Sequence, residues 1–293
     1  MAVDLLPYDD RDGYIWLDGA LAPWRDARLH VLSHALHYAS AVFEGERVYD
    51  GHIFRSRAHT ERLHNSARLM GFEIPYSVDA LESAKREVLQ ANDLKDAYVR
   101  PVAWRGAEMM GVSAQDATIH VAIAAWFWGA YFGDGTEMSG IRMKTGRYRR
   151  PGPECGPVQA KATGHYLICT LNKHEVEAEG YHDALFLDTH GFIAEGSGAN
   201  IFLVQEGKLH TPTPDSFLNG ITRQAVIGLA EKRQIPVIER SILPEEFAKT
   251  SEVFVTGTAA EVTPVAEIDD YRFTPGNISR TLMDDFRAIT STG

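Results

Sequence analysis

Residues 184–204 read ALFLDTHGFIAEGSGANIFLV. Apolar runs at 184–187, 192–194 and 200–204 are separated by the turn formers Thr189-His190-Gly191 and then by a glycine-rich turn around Gly196-Ser197-Gly198. Short apolar runs bounded by such turns predict strands of a meander, not helices. Upstream, Asp18-Gly19 between Tyr14–Leu17 and Ala20–Ala22, and Asp50-Gly51 between Arg47–Tyr49 and His52–Phe54, predict two hairpins. Helical spacing appears at 59–70, at 77–91 with Ser77 as N-cap, at 162–179, at 222–233 and at 278–288. Further strands are expected at 97–104, 118–128, 141–145 and 252–256. Strands and helices alternate without a βαβ period, and several strand pairs are hairpins. The expected fold is therefore α+β, two lobes with mixed sheets, and not a doubly wound sheet. Glycines concentrate after the buried strand at 118–128, which sets the boundaries: 1–128, a linker at 129–135, and 136–293 carrying Lys161.

The 293 residues are 44% hydrophobic and 24% charged, with a formal charge of −11. An acidic surface disfavours nucleic acid and anionic membranes as partners. The longest apolar stretch, 121–131, is well short of the ~20 residues of a membrane helix. Two cysteines make neither a disulfide framework nor a zinc site, and with no signal-peptide pattern at the start the expected setting is the cytoplasm. Dinucleotide, P-loop and serine-hydrolase motifs are absent.

Four segments suit chemistry. Lys161, among small uncharged neighbours at the start of an apolar helix, suits a desolvated amine that attacks a carbonyl; without context, a lysine there is far more often a solvent-facing residue. Glu195, in its glycine-rich turn, could pair with a protonated ring nitrogen, or simply face water. Asn219-Gly220-Ile221-Thr222-Arg223 opens a helix whose free amides suit a phosphate, and Thr256-Gly257-Thr258 is a second small-residue turn. Arg55 could add a bidentate phosphate contact. His30, His34 and His37 share one helical face, but no acidic ligand accompanies them and no metal is expected.

The order of these segments resembles the fold-type IV pyridoxal-phosphate enzymes (the class IV aminotransferase family), and most closely the branched-chain amino acid aminotransferases. The matching segments include His34–Tyr38, Val42-Phe43-Glu44-Gly45, Ala97–Pro101, Trp128–Tyr131, Lys161–Tyr166, Glu195-Gly196, Gly220–Arg223 and Thr256–Glu261. The resemblance implies a smaller N-terminal α/β domain and a larger C-terminal pseudo-barrel domain. It implies pyridoxal 5′-phosphate bound covalently to Lys161, with Glu195 on its ring nitrogen and Tyr166 on its phenolic oxygen. Arg55, Ile221, Thr222 and Thr258 would hold the phosphate. Substrate would meet Phe43, Gly45, Tyr38, Tyr98, Arg100, Trp128, Tyr131, Thr258, Ala259 and Val112, with Arg100 receiving the distal carboxylate of glutamate. The implied activity moves an amino group between L-leucine, L-isoleucine or L-valine and 2-oxoglutarate in a ping-pong cycle. The implied assembly is a homodimer, or a higher homo-oligomer built from dimers, in which each subunit lends Tyr38 and Val112 to its neighbour. D-amino acid or (R)-amine transamination and aminodeoxychorismate cleavage are the alternatives on the same fold. The chain departs from the family in Trp126-Phe127-Trp128, which is bulkier than expected, and in the Arg149–Gly156 loop.

Overall fold

The computed structural model describes residues 7–128 and 139–291. The expected linker at 129–135 and Tyr131 fall outside those residues. The chain divides into two compact units, Met1–Trp128 with Ala160–Gly164, and Gly129–Gln159 with His165–Gly293. The sequence reading placed Lys161 with the C-terminal half; here its five-residue segment packs with the first unit.

The first unit runs β1 (Tyr14–Leu17), β2 (Ala20–Pro23), α1 (His34–Tyr38), β3 (Ala41–Phe43), β4 (Glu46–Tyr49), β5 (His52–Ile53), α2 (Ser56–Leu69), α3 (Val78–Ala91), β6 (Ala97–Arg105) and β7 (Ile119–Phe127). Its strands form one sheet in the order β2-β1-β7-β6-β4-β5, with β3 also on β6 and every pairing antiparallel. Both Asp-Gly turns join hairpin strands, Leu17 opposite Ala20 and Tyr49 opposite His52. Ser77 caps α3, its Oγ accepting the Ala80 amide at 3.2 Å, which satisfies a first-turn donor that has no partner inside the helix. Leu63 and Ala67 of α2 and Leu81, Ala84 and Val88 of α3 are fully or nearly buried against Val48, Val99, Val121 and Ile123 of the sheet. Ala160 and Ala162 join this core. Ala162 bridges Val42, and the Phe43 amide donates to the Lys161 carbonyl at 3.1 Å, so the lysine's segment lies alongside β3.

The second unit runs β8 (Ile141–Thr145), α4 (Tyr166–Ala178), β9 (Asp183–Leu187), β10 (Ile193–Gly196), β11 (Asn200–Gln205), β12 (Lys208–Thr211), α5 (Ile221–Lys232), β13 (Val237–Glu239), β14 (Glu252–Gly257), β15 (Glu261–Ile268), β16 (Tyr271–Arg272) and α6 (Asn277–Ser291). The path β10-β9-β8-β15-β14-β11 returns to β10, because Glu195 of β10 pairs with Asn200 of β11. Six strands thus close into a barrel, and β12, β13 and β16 extend it. Closure explains the unbroken apolar runs at 184–187 and 200–204. Alternate residues Leu185, Leu187, Ile201, Leu203, Val253 and Val255 share one core, while Ala184 and Phe186 pack with Cys169 and Val176 of α4. A strand covered on both faces has no polar side to alternate.

Candidate active site

In the first unit Lys161 is the centre. Its amide donates to Ser66 Oγ at 3.0 Å and its carbonyl accepts from Phe43, so the backbone is held between α2 and β3. The side chain is half-buried, with Nζ 4.9 Å from the centre of the Phe43 ring. Burial first, then the Arg62 guanidinium, pulls the amine below the ordinary lysine range, with Glu44 opposing. A larger share of the neutral amine, the nucleophilic form, follows at any given pH.

An aromatic and cationic row continues from Phe43. The Arg100 guanidinium lies 4.8 Å from the Phe43 ring centre and 5.2 Å from that of Tyr98, and its Nη2 donates to the Tyr98 hydroxyl at 3.3 Å. Arg100 Nε is buried without a hydrogen-bond partner, a donor left for a ligand. Tyr98 packs against Trp128 at 4.8 Å and Trp126 at 5.4 Å between ring centres. Gly45 makes room for Tyr98 here, since a Cβ on it would overlap the Tyr98 hydroxyl and the ring would have to shift. Phe43, Gly45, Tyr98, Arg100 and Trp128 are therefore brought together with Lys161.

Other expected residues of this unit lie elsewhere. Arg55 is exposed, adopts φ +50° ahead of α2, and sets its guanidinium over Phe54 at 5.6 Å. Val112 is 87% exposed and Tyr38 43%. Tyr38 stacks on His34 at 4.6 Å, and His34 Nε2 contacts the Gly111 carbonyl at 2.9 Å, which links Tyr38 to the loop carrying Val112. His34 Nδ1 meets Ser40 Oγ, while His30 and His37 turn to backbone atoms of Leu32 and Val31. Among the described residues no group of His, Cys, Asp and Glu is arranged to hold a metal ion.

The residue that sequence reasoning missed beside Lys161 is Arg62. It is held by a bidentate pair to Glu44, Nε to Oε1 at 2.6 Å and Nη2 to Oε2 at 2.8 Å. The signal was available in part: Glu44 stands in the quoted Phe43-Glu44-Gly45 segment, but nothing in spacing alone joins it to α2.

In the second unit Glu195 on β10 is buried and ion-paired to Arg150 Nη2 at 2.6 Å. Arg150 Nη1 also donates to the His165 carbonyl at 3.4 Å, next to Tyr166, the first residue of α4. Asn200 bridges this carboxylate to the loop ahead of α5. Its Nδ2 donates to Glu195 Oε2 at 3.3 Å and to the Leu218 carbonyl at 3.0 Å, and its Oδ1 accepts the Gly220 amide at 3.1 Å. Any side chain at Gly220 would strike Asn200. Ile221 and Thr222 then open α5, which no side chain caps; such an N-terminus favours an anion. Thr258 and Ala259 occupy the turn between β14 and β15. Ser197 Oγ and Thr256 Oγ1 are buried hydroxyls with no partner.

The first unit offers an amine below its usual range, which suits a carbonyl group. The second, by itself, offers an uncapped helix start and two orphan hydroxyls that suit an oxyanion, and a carboxylate fixed by an arginine. Among the described residues no helix is long and apolar enough to cross a membrane.

Comparisons with known proteins agree with one another. The amino-transferase class IV family matches residues 41–268. A branched-chain-amino-acid aminotransferase of Pseudomonas aeruginosa is 44% identical over 271 residues, covering 91% of this chain and 88% of the relative. The crystal structure of the Escherichia coli branched-chain amino acid aminotransferase superposes with a TM-score of 0.93 at 40% identity, covering 96% of both chains. That of the branched-chain amino acid aminotransferase from Thermobaculum terrenum, in its PLP-bound holo-form, gives 0.86 at 31% identity, covering 95% of this chain and 94% of the other.

Proposed function

From the chain's place among the class IV aminotransferases, to which it belongs, we propose that it transfers the amino group between L-leucine, L-isoleucine or L-valine and 2-oxoglutarate with pyridoxal 5′-phosphate bound at Lys161. The observation that carries this reading is the half-buried Lys161 amine on the Phe43 ring, below its usual range and next to Arg62 and Arg100. The cofactor, when bound, supplies an electron sink for the substrate carbon that gains or loses a proton.

The remaining roles belong to the chain. Lys161 attaches the cofactor and, once displaced, carries the proton at that carbon. Glu195, steadied by Arg150 and Asn200, pairs with a protonated ring nitrogen. Tyr166 is assigned to the phenolic oxygen. Ile221, Thr222 and Thr258 are assigned to the phosphate, and Arg62 in place of the exposed Arg55. Phe43, Gly45, Tyr98, Trp128, Tyr131 and Ala259 form the side-chain and carboxylate contacts. Arg100, with its unpartnered Nε, receives the distal carboxylate of glutamate. Apolar Leu29, Val31, Leu32, Leu36, Met110 and Val112 are exposed on the first unit, which supports a homodimer in which Tyr38 and Val112 serve the neighbouring subunit. A cytoplasmic setting accords with the two free cysteines.

The test is spectroscopic. The purified protein with pyridoxal 5′-phosphate is expected to show a visible band that L-leucine bleaches and 2-oxoglutarate restores, with D-alanine inert. Bleaching by D-alanine alone would transfer the reading to the D-amino acid branch of the same fold. No band with added cofactor would overturn the role of Lys161.

A further inference from the structure

Two segments grip the lysine's backbone, and each carries one member of an ion pair. Phe43, which donates to the Lys161 carbonyl, precedes Glu44; Ser66, which accepts the Lys161 amide, lies one helical turn after Arg62 on α2. Glu44 is fully buried. Both its oxygens accept from Arg62, and Oε2 also meets His59 Nδ1 at 2.7 Å and the Gly45 amide at 3.4 Å. Burial alone would keep this carboxyl protonated. Arg62 and His59 reverse that and hold it well below the usual carboxylate range. His59 is itself held below the imidazole range by burial, so its neutral ring donates Nδ1–H.

We propose that Glu44 is a positioning residue for the chemistry at Lys161: through both oxygens it aims the Arg62 guanidinium, and it makes the amine's neighbour an ion pair instead of a lone cation. A guanidinium on flexible methylenes would otherwise sample many rotamers, while the bidentate pair fixes it in one plane. The charge balance matters as much. The charged and titratable groups that act on the amine are Arg62 from α2, Glu44 after β3, and Tyr98 and Arg100 from β6. Arg62 and Arg100 disfavour the ammonium, and Glu44 and Tyr98 favour it. Without Glu44, the lowering effect of Arg62 and Arg100 on the amine would lose the carboxylate that opposes it. The lysine would then deprotonate more readily but would face a guanidinium that has lost its bidentate carboxylate.

The proposal rests on Lys161 being the reactive amine, and its test needs neither substrate nor turnover. The full chain stripped of cofactor is labelled with acetic anhydride across pH 6–11 (an experimental range chosen to span roughly the ordinary lysine value of about 10.4), and acetylation of Lys161 is read by peptide mass spectrometry. Relative to the native chain, the labelling midpoint is expected to fall in Glu44→Gln and to rise in Arg62→Gln. Glu44→Asp is expected to return it toward native. In parallel, fluorescence titration with pyridoxal 5′-phosphate is expected to show about tenfold weaker binding for Glu44→Gln, a loss comparable to that of an unsupported ligand contact. Midpoints of Glu44→Gln and Arg62→Gln that coincide with the native one would overturn the proposal. If Glu44→Gln fails to fold, Arg62→Gln and Glu44→Asp decide: Arg62→Gln must still move upward, and an unmoved midpoint refutes the idea. Normal midpoint shifts in a protein that fails to transaminate would leave this inference standing and overturn the functional reading instead.

Discussion

Arg150 Nη2 stands 2.6 Å from Glu195 Oε1, and both side chains are less than a tenth exposed. A buried carboxylate keeps its charge only while it is paired, and removing one partner leaves the other stranded. Glu195 is thus fixed in direction, one oxygen by Arg150 and the other by Asn200.

Arg150→Met is therefore expected to destabilise the chain by about 3 kcal/mol and to weaken cofactor retention. Urea unfolding and cofactor absorbance after dialysis read the two effects. A melt and retention equal to the native protein would show that Glu195 needs no arginine.

Asn200→Ala should act at a distance. It removes the acceptor of the Gly220 amide and the donor to Leu218 and Glu195 together, so the start of α5 loses its register. Phosphate-dependent binding should suffer most: affinity for pyridoxal 5′-phosphate is expected to drop, and that for phosphate-free pyridoxal to change little. Equal losses for both ligands would contradict the role given to α5.

Gly45→Ala forces the Tyr98 hydroxyl aside and with it the hydrogen bond from Arg100. Overpacking of this kind costs about 1–3 kcal/mol. Kinetics should show KM rising for both leucine and glutamate, because one tyrosine orders the aromatic wall and the arginine. An unchanged KM for both would refute that coupling.

Glu46 gives a pH dependence. Burial, opposed by Lys85 at 2.7 Å, pushes its carboxyl up to about 8 from an ordinary value of 4.5. Between those values the folded chain holds a proton that the unfolded chain has released, so stability falls as pH rises through that window. Thermal melts at pH 6 and 8 are expected to show the native chain losing stability relative to Glu46→Gln, which cannot titrate. Parallel curves would mean that the Glu46–Lys85 pair is ionised throughout.

The barrel's strands were legible because β9, β11 and β14 are apolar without alternation; their closure into a ring was only implied by the resemblance, since the pairing of Glu195 with Asn200 leaves no periodic signal. Lys161, Glu195 and the start of α5 were legible through ordered local motifs. Arg62, Arg150 and Asn200 were not, because each works by a contact that separation along the chain conceals. Arg62 and Arg55 are both arginines near a hairpin, and only the α2 face that meets Lys161 distinguishes them. The histidine trio shared a helical spacing, but short α1 covers only His34 and His37, and the rings part to different partners, His30 to the Leu32 amide, His34 to Ser40 and the Gly111 carbonyl, and His37 to the Val31 carbonyl.

The first unit is not complete until Ala160–Gly164 has been added to it. A ribosome that has made residues 1–128 has supplied every strand of that sheet but not the segment that lines Val42 and shares its core. Native folding of this unit must therefore wait for synthesis to pass position 164, so the lysine arrives as the last piece of the structure that holds it. A chain cut at Trp128 is expected to be poorly soluble and to recover when a peptide spanning 157–166 is supplied.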